Sequence, residues 1–377
     1  MDVAGDDVFF AAVKTLWRDA EENLHRLTLA LPFLSRSSAL RVAARCASVE
    51  LDGPDLLPLD VKRLNGERGR ALIAKMEELA RPGSPFLAGA ERVGTAAVQC
   101  SGLGLALRHL PQQLFDPVVA WAAARGASGL GEDALAPAWA FLLGAAAFGY
   151  RSTFGLTFER LAFAQALVAG RAGGVFPLSA IAGAARSRWP GLTRGRRTVR
   201  GVGTDDEKRA VVNENTTTFL LVAQQIPFTL PDGVALDWEH LFPTARGDEN
   251  LKWRGADGTW KLQRHPDSWC IGRAGNLLAL DASLNRSAGM RWPDEKLLQY
   301  REAKHWPPDL FLSASEESVL LEACDALRNK RVPDGATLLS RYVRERELRI
   351  FAAVVARFPT FVELANRPEV LEHEARD

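Results

Sequence analysis

The stretch "LDWEHLFPTARGDENLKW", Leu236 to Trp253, sets a histidine directly after a glutamate at the end of a short apolar run, and Phe242-Pro243 closes that run. The chain holds only six histidines. Taken alone, His240 is a surface histidine at a strand end. The sequence that follows gives it a second reading. The next part of the chain, "CIGRAGNLLALDASLNRSAGMRWPDEKLLQY", runs from Cys270 to Tyr300. It supplies Asn276 at the entry to a strand-like apolar run and Asn285 where the chain enters a helix. The order is therefore strand, loop, strand, helix.

That order resembles the ββα-metal, or HNH, nuclease finger, and phosphodiester chemistry explains the residue types. Hydrolysis needs a deprotonated water in line with the leaving oxygen, and a histidine titrating near neutrality suits that proton transfer. A positioned base contributes roughly 100- to 10,000-fold. Negative charge grows on the phosphate and leaving oxygens, so a hard cation held by oxygen ligands belongs opposite. His240 is the expected general base. Glu239 and the side-chain carbonyl of Asn285 are the expected metal ligands, and Mg2+ or Mn2+ is the expected ion. Asn276, with donors and an acceptor in one amide, is expected to tie the long loop to the first strand. Lys296 on the following helix is a candidate to stabilise phosphate charge, although a solvated lysine would look the same.

One geometric objection bears on Glu239. Successive strand residues point to opposite faces, so Glu239 and His240 address one phosphate only if the strand ends or bends between them. Pro243 makes such an ending plausible, because proline cannot continue a central ladder.

Outside this segment, 377 residues with 47% hydrophobic content are enough for two or three domains. The 47 basic and 46 acidic residues nearly cancel, so no global field marks a nucleic-acid binder. Cys46, Cys100, Cys270 and Cys324 are far apart in sequence and form no C-x-x-C pair, which argues against a zinc ribbon or a disulfide framework and makes a reducing cytoplasm the expected compartment. The start, Met-Asp-Val-Ala-Gly-Asp-Asp, is acidic where a secretory signal is basic, so no export signal is expected. The run "ALAPAWAFLLGAAAFGY", Ala134 to Tyr150, is interrupted by a proline and rich in alanine and glycine, so a buried helix is expected and no membrane association.

Helical spacing of apolar residues predicts helices over 7–34, 59–81, 89–110, 113–125, 136–150 and 158–169. Two more are predicted over 316–328 and 336–358, while "NTTTFLLVAQQIPFTL" reads as either helix or strand. The expected fold is mainly α with a small α+β element. It comprises a helical scaffold or recognition region over 1–205, the nuclease domain over 206–306 and a C-terminal helical segment over 307–377.

A local basic patch hides behind the near-zero net charge. "ARSRWPGLTRGRRTVRGVG", Ala185 to Gly203, holds Arg186, Arg188, Arg194, Arg196, Arg197 and Arg200 and no acid. A solvated linker and a phosphate-binding surface both fit it; arginines of the second kind add sequence-independent affinity by releasing counterions. Trp189 among them could stack on a base.

The ordered elements Glu239-His240-Leu241-Phe242-Pro243, Gly275-Asn276-Leu277-Leu278-Ala279-Leu280, Asn285 and Pro293-Asp294-Glu295-Lys296 resemble the C-terminal HNH nuclease domain of GmrSD-type, modification-dependent restriction enzymes. The resemblance covers about 65 residues of the chain. It implies a metal-dependent endonuclease acting on DNA in bacterial defence. In that family a D-G-Q-Q-R motif marks a nucleotide-hydrolysing domain, and this sequence lacks it. A separate subunit supplying nucleotide hydrolysis or target recognition is therefore an expected partner. A non-catalytic nucleic-acid-binding subunit and a ribonuclease are the alternatives. His265 and His305 read as surface residues, and core packing is the expected role for most of Trp253, Trp260, Trp269 and Trp292.

Overall fold

Where alanine and glycine fall at helix contacts, backbones can approach closely, and this sets the packing of the N-terminal half. The computed structural model describes residues 11–17, 19–52, 64–253, 263–302, 307 and 309–366. Its contacts divide the chain into two units: Met1–Cys100 with Leu107–Gly203 and Phe358–Asp377, and Ser101–Ala106 with Thr204–Arg357.

The first unit is helical. Its main helices are α1 (Ala20–Ala30), α2 (Arg36–Asp52), α3 (Gly66–Leu79), α4 (Pro85–Gln99), α5 (Phe115–Arg125), α6 (Glu132–Ala147), α7 (Leu156–Arg171) and α8 (Leu178–Arg188). Ser84 caps α4, its hydroxyl accepting from the Leu87 N–H at 3.0 Å, with Pro85 in the first turn. Helix α5 runs against α7, and Gly170 makes this possible: a Cβ there would lie 2.5 Å from the Trp121 carbonyl oxygen. Helix α6, apolar all round, is buried on nearly every side, as such a helix must be in water. Among the described residues no helix is long and apolar enough to cross a membrane.

The arginine-rich segment is a small hairpin, β1 (Thr193–Arg194) and β2 (Arg197–Thr198), with Arg194 opposite Arg197. Its two-residue turn places Gly195 at φ +60°, a conformation glycine adopts without steric cost. Here the chain forms a defined turn.

The main segment of the second unit begins at Thr204, which with Glu207 makes a capping box on α9 (Asp205–Glu214). The ambiguous "TTTFLLVA" is helix α10 (Thr216–Ala223). Then come β3 (Leu236–His240), α11 (Thr244–Asn250), β4 (Lys252–Trp253), β5 (Gln263–Arg264), β6 (Leu277–Asp281), α12 (Ala282–Ala288), α13 (Pro293–Glu302), α14 (Ala314–Arg328) and α15 (Val332–Arg357). Strands β3 and β6 pair antiparallel, from Leu236 opposite Asp281 to His240 opposite Leu277. The outer edge of β6 is closed by a side chain. Gln224 accepts from the Ala279 N–H at 2.7 Å and donates to its carbonyl at 3.3 Å, as a neighbouring strand would.

The protein is thus mainly α with small antiparallel two-stranded sheets. The sequence set 307–377 apart as its own segment, but the packing does not follow that division. Leu320, Ala323, Leu327, Leu339, Tyr342 and Val343 of α14 and α15 share one buried core with Leu241, Phe242, Leu278 and Leu280. A two-stranded ribbon cannot bury its own apolar face, and these helices supply the missing layer.

Candidate functional site

Asn276 organises the end of β3. Fully buried, its amide oxygen accepts from the Phe242 N–H at 2.8 Å, and its nitrogen donates to the carbonyls of Phe242 at 2.9 Å and Ile271 at 2.8 Å. Its own carbonyl accepts from Leu241 N–H at 3.0 Å. Both amide protons and the oxygen are used. The loop before β6 is thereby fastened to the residues just after His240.

His240 is half-buried at the last position of β3. Among the described residues no group hydrogen-bonds its imidazole. Burial lowers its pKa below the usual 6.5, and the Lys296 ammonium adds to the effect. The neutral ring, able to accept a proton, is therefore the form favoured at pH 7.

Glu239 is placed differently from the expectation. Its carboxylate turns inward, 3% exposed, and forms an ion pair with Lys296, itself 1% exposed. Lys296 also donates to the His240 carbonyl at 3.0 Å. Burial raises the pKa of Glu239 against the opposing pull of Lys296, and burial lowers that of Lys296. Burial also pushes up the Tyr300 phenol, as does the Glu239 charge beside it. The strand does not bend enough for Glu239 and His240 to share a face, so the pleat decides. Glu239 is corrected from metal ligand to partner of Lys296, and Lys296 from phosphate contact to a buried cation holding the strand end.

Asn285, on α12, reaches back to β3. Its amide donates to the Asp237 carboxylate at 2.9 Å and lies 3.4 Å from the Trp238 carbonyl oxygen. Asp237 is exposed, and the sequence reading overlooked it. The available signal was the second carboxylate of the L-D-W-E-H run. The structure thus joins Asn285 to Asp237 and Asn276 to the residues following His240, and it does not join Glu239 to Asn285.

Helix α15 supports the loop from behind. Arg346, fully buried, donates to the carbonyls of Gly275 at 2.8 Å and Leu277 at 2.6 Å, on either side of Asn276. The neighbouring Glu347 accepts from Arg273 at 3.1 Å and from Asn213 at 2.7 Å, while Asn213 accepts from the Ala274 N–H at 2.9 Å. Gly275 is needed for this approach, because a Cβ would sit 2.2 Å from the Val343 carbonyl oxygen. Sequence gave no sign of the clamp: "RYVRERELRI" reads as a charged helix face.

The arginine patch is tied to its own unit. Arg194 donates to the Phe154 carbonyl at 3.0 Å, Arg197 to Ser152 at 2.5 Å and Arg200 to Ala147 at 3.4 Å, and Arg186 donates to the Glu363 carbonyl. Carbonyls hold a guanidinium without cancelling its charge, so the hairpin stays cationic. Arg188 lies 5.5 Å from the Trp189 ring centroid. Arg196 is exposed, with no ion pair or hydrogen bond among the described residues. Trp189 stacks on Phe154 with centroids 4.1 Å apart, so one face of the ring proposed for a base is already covered.

His265 is buried rather than at the surface; its Nδ1 accepts from the Asp267 N–H at 3.2 Å and caps the 3-10 helix Pro266–Gly272. Trp292 is half-buried and meets Phe242 edge-on, whereas Trp269 stands 38% exposed, contrary to a core role. His305, Trp260 and the side chain of Trp253 lie outside the described residues. No protein-family model matches the sequence, and no curated protein matches it.

Proposed function

We propose that the chain is a metal-dependent HNH-type endonuclease that hydrolyses DNA phosphodiesters, with a role in bacterial defence or restriction. The observation that carries this reading is the bracket by Asn276: three side-chain hydrogen bonds fix the strand end beside a half-buried histidine whose ring has no hydrogen-bond partner among the described residues. The resemblance of the ordered Glu239-His240, Asn276 and Asn285 elements to the HNH finger supports it.

In this reading His240 takes a proton from the attacking water at a free ring nitrogen. Asn276 fixes its position through the Phe242 backbone, and Lys296 supports the strand end through the His240 carbonyl. Mg2+ or Mn2+ would be held through the Asp237 carboxylate and the Asn285 side-chain oxygen, although by strand alternation Asp237 shares the face of Glu239 and not that of His240, and in the structure it is the Asn285 nitrogen that meets Asp237. When bound, such an ion supplies charge stabilisation for the phosphate and leaving oxygens. Glu239 does not fit as a ligand, since Lys296 already neutralises it. The cationic hairpin around Arg196 provides phosphate contacts, and a separate subunit supplies target recognition or nucleotide hydrolysis.

The test is to incubate the chain with supercoiled plasmid and with structured RNA in parallel, each with magnesium, manganese or EDTA. Nicked or linear plasmid in metal alone supports the reading. Cleavage confined to RNA makes the protein a ribonuclease. Metal-independent products, or DNA binding without any cleavage, reject catalysis of this kind.

A further inference from the structure

Trp269 is out of keeping with its surroundings. It sits on the 3-10 helix Pro266–Gly272, whose Cys270 and Ile271 are buried at 0% and 6% exposure, so the loop's core contacts are made by its neighbours while the indole stays 38% exposed. Two guanidinium groups flank the ring, Arg273 at 5.1 Å and Arg344 at 5.2 Å from its centroid. Their charges are not equivalent. Arg273 is paired with Glu347 at 3.1 Å. Arg344 has no ion pair or hydrogen bond among the described residues. Glu345 beside it is taken by Arg341 at 2.8 Å, and Asp267 on the same turn lies 3.8 Å from His265.

Position adds to the case. Asn276 donates to the Ile271 carbonyl at 2.8 Å and also grips Phe242, so the loop bearing Trp269 is pinned by the same amide that fixes the His240 strand end. An exposed aromatic ring on a pinned loop, with an arginine over it that has no ion pair or hydrogen bond among the described residues, has the composition of a base-stacking platform. Such a ring gains contact with a base only when the base is out of its own stack.

We propose that Trp269 and Arg344 bind an unpaired nucleobase of the nucleic-acid substrate, the base taking the place of the Arg344 guanidinium over the indole face and Arg344 moving to the adjoining phosphate. The assignment rests on the nuclease reading of this unit and adds to it the requirement for a single-stranded or locally opened segment.

The experiment is fluorescence anisotropy in EDTA, so that no cleavage intervenes, using a labelled 12-nucleotide DNA single strand and the matching duplex. Circular dichroism confirms that each variant is folded. Trp269→Ala is expected to weaken single-strand binding by about 5- to 150-fold, the effect of one stacked base, with Trp269→Phe retaining most of it and duplex binding little changed. Arg344→Ala is expected to reduce the salt slope by roughly one contact. Undiminished single-strand binding by folded Trp269→Ala overturns the proposal. So does an equal loss on both oligonucleotides, or a wild-type chain that binds neither. Trp269-dependent binding in a chain that cuts no plasmid leaves the platform standing and removes the nuclease reading alone; unchanged cutting by Trp269→Ala does the reverse.

Discussion

Lys296 and Glu239 form an ion pair with side chains only 1% and 4% exposed. A buried pair of this kind recovers little more than its own desolvation, yet either charge left alone is expensive. Glu239→Ala should therefore destabilise the second unit by about 3–5 kcal/mol in urea unfolding. Glu239→Leu combined with Lys296→Met should cost nothing or stabilise by about 1–4 kcal/mol. A metal ligand would behave otherwise, since the double variant would then abolish cleavage while unfolding normally.

The sign of the pH dependence follows from the same pair. Glu239 is raised in the folded protein, so its contribution is present below pH 4.5 and is lost as pH rises through its folded value. The double variant should lack this component in a stability-against-pH series.

Arg346 grips the carbonyls that flank Asn276. Groups that orient metal ligands through hydrogen bonds typically change activity by about 10- to 100-fold when removed, and Arg346 orients the Asn276 loop in a comparable way. Arg346→Met should lower kcat by that factor with little change in KM, because it loosens the strand end without touching substrate. A variant that folds less well but turns over normally per folded molecule would show a purely structural role.

His240 is depressed below 6.5, first by burial and then by Lys296. If it is the general base, kcat/KM should rise with pH along a unit slope, level off below pH 6.5 and stay flat through neutrality. The linked stability effect has one sign: a depressed group contributes above its unfolded pKa and loses that contribution as pH falls through the folded value. A rate limb centred well above pH 7 would assign the titration to another group.

The hairpin arginines divide by what holds them. Arg196→Ala should leave the melting temperature unchanged and reduce the salt slope of DNA binding by about one contact. Arg194→Ala, which also loses its bond to Phe154, should lower the melting temperature as well. Equal salt slopes for wild type and Arg196→Ala would make the patch a surface feature without a nucleic-acid role.

The helices most visible in the sequence were those with a regular apolar stripe, such as α14 and α15, and the all-apolar α6. Helix α2 was missed because its small and arginine-rich face, including the buried Arg41 and Arg45, has no such stripe. Strands β3 and β6 were legible from "LDWEH" and "NLLALD", but their register depends on side chains far along the chain. Asn276 could be read as a loop fastener because an amide after a glycine at a strand entry has few other uses. The inward turn of Glu239 was not legible, since the pleat direction at a strand end is settled by tertiary packing against Lys296 and Tyr300. Arg346 was invisible for a related reason: a charged helix face gives no local sign that one of its cations will be buried against two carbonyls.

The most direct test of the account compares wild type with His240→Ala on supercoiled plasmid, with magnesium, with manganese and with EDTA, after matching their circular dichroism spectra and DNA affinities. The account predicts metal-dependent nicked or linear product from wild type. It predicts a rate at least about 100-fold lower from the variant, the loss of one positioned base. Equal cleavage by the two proteins, or no cleavage by wild type on any nucleic acid while both bind it, would contradict the assignment of His240 as the base of a nuclease.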